Sequence, residues 1–278
     1  MYISNEPGRF EVYAHDRASG TRRQVTDRPE GTGYRVPPRL EPDGERVWWF
    51  DDDRGNEFGA WMAEPFAGGG PAPAAPGLAP SYSAGLALGR HLAVVGRSTD
   101  EGSSVYLVPH GDRPVRLYAH REHASVAAIS RDDGLVALSH AEHGDSRNPA
   151  VRVVDLAGAR VAELWDGPER GLRPGDWSSR QGDRRLLVTH ERGGLERPLV
   201  LHADGGEQRE LAVDLPGEVS ASWYPDGERL LLLHEHRGRS ALYRLELATG
   251  ALDVLPTPPG TISAARVRPD GDVWLLLS

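Results

Sequence analysis

Three short stretches concentrate side chains able to move protons: "SHAEHG" (139–144), "HERGG" (190–194) and "HEHRG" (234–238). Imidazole is the side chain whose ordinary pKa lies near neutrality, and a neighbouring carboxylate tunes it, so a His/Glu pair suits general acid–base work. His140, His190, Glu191, His234 and Glu235 are therefore the candidate catalytic groups, with Glu142, His143 and His236 beside them. His234 and His236 are two apart and share a face if their segment is a strand. The same groups are also metal-ligand types, but their spacing fits no specific ligand pattern, so no metal is assigned. The plainer alternative is that each stretch is the polar end of a strand, its side chains satisfying the backbone of a turn. "DDDRGNE" (51–57) loosely resembles a calcium loop, yet Gly55 comes one residue too early, and a solvated turn explains it as well.

The elements that must hold these groups repeat. "EPDG", "ALG", "RDDG", "RQG", "YPDG" and "RPDG" end their turns at Gly44, Gly89, Gly134, Gly182, Gly227 and Gly271, at intervals of 45, 45, 48, 45 and 44 residues. That period is the length of one four-stranded propeller blade. A continuous apolar run follows each turn: "WWF", "LAVV", "LVAL", "LLV", "LLLL" and "VWLLL". Unbroken apolarity marks a strand buried on both faces. Out of phase with these runs lie strand–turn–strand phrases such as "VRVVDLAGARVAELW" and "LYRLELATGALDVL". A further copy, "FGAWMAEPFAGGGPAPAAP", is proline-rich, and its last strand is doubtful.

The expected fold is all-β, a six-bladed β-propeller of four-stranded antiparallel blades in one domain, 1–278. Its last blade is shared by about residues 1–27 and 261–278, so that N-terminal outer strands pair with the C-terminal inner ones and no ring edge stays open. In this frame His140, His190 and His234 end equivalent strands of three successive blades. The starts of the first strands and the loops before them add Arg35, Tyr82, His123, Arg173, Glu218 and Ser220 around a channel mouth on the same face. These six, with Glu142 and His236, are the candidate ligand-binding residues.

Composition removes several chemistries. There is no cysteine, hence no disulfide, thiolate site or cysteine nucleophile. All basic residues are arginine, so lysine Schiff-base chemistry is absent. A net charge of -9 argues against nucleic-acid or anionic-membrane partners. No apolar run approaches the ~18 residues of a membrane span, and the N-terminus does not read as a signal peptide, so a cytoplasmic location is expected. Neither G-x-S-x-G, G-x-x-x-x-G-K-[ST] nor G-x-G-x-x-G occurs, and no cofactor is expected.

"YISNEPGRFEVYAHDRASGTRRQVTDRP", "PDGERVWWFDDDRGNEFGAW", "LSHAEHGDSRNPAVRV", "AELWDGPERGL" and "LPGEVSASWYPDG" resemble the propeller domain of the prolyl oligopeptidase (S9) family. The likeness is to its acylaminoacyl-peptidase-like branch in high-GC actinobacteria. In that family the propeller caps a separate α/β-hydrolase domain that carries the catalytic triad, and none of the triad carries over to this sequence. Members usually have seven or more blades; this chain counts to six. The resemblance implies a propeller without peptidase machinery, and the complementary half-blades at the two ends favour a stand-alone one, expected to bind a small molecule or short peptide at the channel mouth. Two alternatives stay open. One is a small-molecule hydrolase, lyase or cyclase, for example of secondary metabolism, using the His/Glu face. The other is the propeller part of a truncated S9 peptidase, whose separate hydrolase partner is unknown.

Overall fold

The structure is a computed structural model that describes all residues except 33–35, 53–54 and 278. It is all-β among the described residues, and no helix is long and apolar enough to cross a membrane. By contacts the chain divides into two compact units, Met1–Val126 and Ala127–Ser278.

In the first unit, β1 (Tyr2–Ser4), β2 (Glu11–His15) and β3 (Arg22–Gln24) form a three-stranded antiparallel sheet. β4 (Arg39–Leu40), β5 (Arg46–Asp52) and β6 (Phe58–Pro65) continue through β8 (Ser81–Leu88), β9 (Leu92–Thr99), β10 (Gly102–Pro109) and β11 (Val115–His120) as one sheet. The short β7 (Ala72–Pro73) pairs with β6 off that path. This fusion of two repeats follows from the proline-rich copy. Pro71, Pro73, Pro76 and Pro80 cannot donate ladder hydrogen bonds, so β7 stays at two residues. Phe58 and Gly59 at the free end of β6 pair instead with Tyr82 and Ser81 of β8.

The second unit shows the repeat more regularly. β12 (Ala124–Ile129), within which the division between units falls, precedes β13 (Leu135–His140), β14 (Ala150–Asp155) and β15 (Arg160–Leu164) in a four-stranded sheet. The next sheet holds β16 (Leu172–Trp177), β17 (Arg185–His190), β18 (Arg197–His202) and β19 (Gln208–Glu210). The third holds β20 (Glu218–Trp223), β21 (Arg229–His236), β22 (Arg239–Glu246) and β23 (Leu252–Leu255). β24 (Ile262–Val267) and β25 (Val273–Leu277) form a two-stranded sheet.

The apolar second strands are buried on both faces, and side-chain alternation sends successive residues to different cores. Leu230 and Leu232 of β21 pack with Leu187 and Val200, whereas Leu231 between them packs with Tyr224, Leu242 and Ile262. One turn of the repeat earlier, Leu186 and Val188 of β17 face Leu135, Val151 and Val153, while Leu187 faces the other way. In β5, Trp48 and Phe50 join Trp61 and Val95; Val47 and Trp49 join Val12. Each fully buried leucine contributes ~1.5–3 kcal/mol of transfer free energy, which is why the runs tolerate no polar interruption.

In the "RDDG" turn Asp133 takes the left-handed region (φ 55°), and its N–H donates to the Ser130 carbonyl. Asp tolerates that region better than most side chains do. The run "VWLLL" is not buried on both faces: Trp274, Leu276 and Leu277 are 46%, 66% and 42% exposed. The reason is topological, since β25 pairs with β24 and with no other strand among the described residues. The N-terminal sheet has three strands, β1 lying beside β2 with Tyr2 opposite Tyr13.

Candidate functional site

His140 and His190 end β13 and β17 as the repeat predicts, but they are not exposed: His140 is 0% and His190 4% accessible. Their role in the turn is the same in both places. The Nδ1 of His140 accepts the Glu142 N–H at 3.4 Å, and that of His190 accepts the Arg192 N–H at 3.3 Å. Burial holds both imidazoles below the usual histidine pKa. For His140 the Arg152 charge adds to the effect; for His190 the Glu210 carboxylate opposes it. His234 is 9% exposed and lies inside β21, which runs on through His236. Its Nε2 contacts the Pro216 carbonyl, and its ring packs edge-on to Tyr243 and stacks on His236 at 6.2 Å. The three histidines hold local backbone, each with neighbours of its own, and among the described residues no hydrogen bond or ion pair joins them.

Around His140 the structure assembles groups that the sequence reading did not connect. Arg152 of β14 reaches Glu142 at 2.5 Å and Glu163 of β15 at 2.8 Å. Glu163 Oε1 lies 3.6 Å from His140 Nε2 and 3.5 Å from His143 Nε2. His143 stacks on Trp165 with ring centroids 4.0 Å apart and planes 10° from parallel. Burial alone would raise the Glu163 carboxyl, but the Arg152 hydrogen bond and charge outweigh it and the pKa falls. Glu163 sits 20 residues beyond His143, and only the β14–β15 register, which sets Arg152 opposite Glu163, brings it there.

A cleft of about 260 Å³ opens between β13, with its following loop, and the β16–β17 pair. Ser139, Ser146, Arg147, Arg173, Thr189 and Glu191 give it its polar lining. Arg173 is committed to Glu196. Arg147 and Glu191 have no ion-pair partner for their side chains among the described residues. A side chain at Gly171 would sit 3.2 Å from Glu191 Oε2, so the glycine leaves that carboxylate room at the cleft wall. Arg147 closes the stretch "HAEHGDSR", whose histidines drew attention away from it.

The remaining candidates are dispersed. Tyr82 is 46% exposed and packs edge-on to Phe58 at 5.3 Å. His123 is exposed before β12, and Glu218 and Ser220 are exposed on β20. Glu235 is exposed opposite Glu218 in the β20–β21 register, and His236 is half-buried at the end of β21. Arg35 lies outside the described residues, as do Asp53 and Arg54 of the calcium-like stretch. Asp51 of that stretch is bonded by Arg28 from the segment before β4, and Asp52 accepts the Glu57 N–H within the loop at 3.2 Å, so both carboxylates have protein partners.

No family model and no curated protein matches the chain in sequence. Solved structures do match in fold. A puromycin hydrolase S511A mutant complexed with PGG superposes with a TM-score of 0.68 at 18% identity, over 94% of this chain and 46% of that one. A prolyl endopeptidase gives 0.66 at 19% identity, over 87% of this chain and 37% of that one. An oligogalacturonate lyase in complex with manganese gives 0.65 at 13% identity, over 90% and 71%. The chain thus spans less than half the length of both hydrolytic neighbours. At these identities the likeness shows fold alone. The chain has a β-propeller fold similar to those of the prolyl endopeptidase and puromycin hydrolase structures.

Proposed function

We propose that this chain is a binding module for a small zwitterionic ligand of the short-peptide class, taken in the cleft beside β13, β16 and β17. One observation carries the reading: Arg147 and Glu191, opposite in charge, line the same cleft, and neither is neutralised by an ion pair among the described residues. An unpaired guanidinium offers a planar fork to a terminal carboxylate, and an unpaired carboxylate accepts from a terminal ammonium. Ser139, Ser146 and Thr189 add hydroxyls that donate to or accept from a peptide backbone. About 260 Å³ is at the small end of ligand pockets, which favours one or two residues over a longer chain. The peptide-directed enzymes among the structural neighbours agree with this class. Acid–base catalysis by His140, His190 and His234 draws no support from their placement, since each is buried with a ring nitrogen against backbone. For the architecture we propose a six-bladed ring closed by strands of the N-terminal sheet, because a strand paired to β25 would satisfy the backbone edge that β25 leaves open among the described residues.

The test is calorimetric titration with a free dipeptide, its N-acetyl derivative and its C-terminal amide. The free dipeptide is expected to bind, and each blocked form to lose at least about tenfold, one charge-assisted contact being worth ~1.5–3 kcal/mol. Arg147→Ala should reproduce the loss seen with the amide, and Glu191→Gln the loss seen with the N-acetyl form. Absence of saturable binding, or affinity indifferent to both substitutions, refutes the proposal.

A further inference from the structure

The best-built polar cluster outside the cleft is that of His140, His143 and Glu163. Its ligand-type atoms, one per residue, all lie within 4.8 Å of one another. The two imidazole-to-carboxylate distances are 3.6 and 3.5 Å. A tetrahedral ion with bonds of ~2.0–2.1 Å holds its ligand atoms ~3.3–3.4 Å apart. Two of the three edges are therefore already within a few tenths of an ångström of that spacing. The third closes by a small slide of the His143 ring across Trp165, on the exposed loop after β13, which keeps the ring plane.

A second observation points to a ligand. His140 is fully buried, and its Nε2, the atom facing Glu163 and His143, has no hydrogen-bond partner. Buried polar atoms are rarely left so. The surroundings are arranged as outer supports. Arg152 takes Glu163 by Oε2 and leaves Oε1 toward the histidines, and Trp165 fixes the plane of the His143 ring. Glu142 Oε1 lies 4.0 Å from His140 Nδ1, the place of the carboxylate behind a metal-bound imidazole. Binding through Nε2 requires the proton on Nδ1. The long 3.4 Å bond from the Glu142 N–H would then give way to one from Nδ1–H to the Glu142 side chain. Arg160 also reaches Glu163 at Oε2, 3.4 Å away, so both guanidinium groups hold that oxygen and neither takes up Oε1.

We propose that His140 Nε2, His143 Nε2 and Glu163 Oε1 form a site for a borderline divalent ion of the zinc class, with a fourth position open on the exposed side of His143. Two imidazoles and one carboxylate suit zinc or cobalt(II) over magnesium or calcium, which prefer all-oxygen shells. The site is distinct from the Arg147/Glu191 cleft and stands whether or not that cleft binds peptides.

Zinc alone, titrated calorimetrically into the metal-stripped chain, should bind at one equivalent, and cobalt(II) should give the visible absorption of a four-coordinate centre. His143→Ala removes an exposed side chain and should leave the melting temperature near wild type while lowering zinc affinity at least about a hundredfold. Glu163→Gln should do the same to affinity. Glu142→Gln, which keeps the shape of the residue behind His140, should cost about 10–100-fold. Magnesium should not compete. No saturable zinc binding by the wild type, or undiminished binding by His143→Ala, overturns the proposal. In either case the cluster is an Arg152-centred salt-bridge network that happens to include two histidines.

Discussion

Lowering the pH from about 7.5 to 5.5 should destabilise the fold through His140 and His190 before any carboxylate titrates. Both rings are buried, and both have folded-state pKa values below the 6.5 of an unfolded histidine. Above that value neither state binds the proton and the stability is complete. As pH falls below it, the unfolded chain takes up protons first, and stability is lost until the folded-state pKa is passed. Within that window each group contributes a slope of at most ~1.4 kcal/mol per pH unit, so the pair gives up to ~2.7. With an unfolding entropy of ~2.1 cal/mol/K per residue, that corresponds to a fall in Tm of roughly 4–5 °C per pH unit. Asp132, Asp183, Asp226 and Glu163 have lowered values as well. Their stability is lost only as pH falls below ~4, a separate window. Calorimetric melting across the pH series, in wild type and in His190→Asn, separates the contributions. Asparagine offers an amide oxygen to the Arg192 N–H but does not titrate. It should cost ~1 kcal/mol at neutral pH and remove about half of the acid-side slope, whereas His190→Ala should cost ~1–3 kcal/mol by orphaning that N–H. A wild-type Tm flat between about pH 7.5 and 5.5, or a slope unchanged in His190→Asn, would refute the reasoning.

Three further outcomes are expected. Arg152→Met leaves Glu142 and Glu163 half-buried without their shared cation and should lower stability by ~2–4 kcal/mol in denaturant titration; a loss below ~0.5 kcal/mol would mean solvent already compensates them. Gly85→Ala should destabilise by ~1–3 kcal/mol, because Gly85 has φ +94° and a Cβ there would fall 2.2 Å from the Val126 carbonyl oxygen; an unchanged Tm would show that the β8 bulge can shift. Deleting residues 1–26 uncovers Val47 and Trp49, which pack on Val12, and should cause concentration-dependent association seen by light scattering; a truncated chain that stays monomeric with wild-type Tm would sink both that contact and ring closure.

The sequence by itself determined the strands and their order. The Gly-ended turns at 44–48-residue intervals and the unbroken apolar runs give second strands buried on both faces in every repeat but the last, where β25 is exposed, and Leu230, Leu231 and Leu232 divide between two cores as side-chain alternation requires. It also marked His140 and His190 as strand ends, since a run of apolar residues must stop where the chain turns. Only the tertiary structure decided what those histidines meet. Burial depends on the neighbouring sheet, and the tautomer-setting contact is a backbone N–H that carries no letter in the sequence. The same holds for the two clusters that matter most. Arg147 and Glu191 lie on the β13–β14 and β17–β18 loops of two different sheets, and Glu163 reaches His143 through the β14–β15 register. A repeat period fixes which residues are equivalent along the chain. Which ones touch across sheets is fixed by register and packing, where a shift of one residue would turn every side chain to the other face.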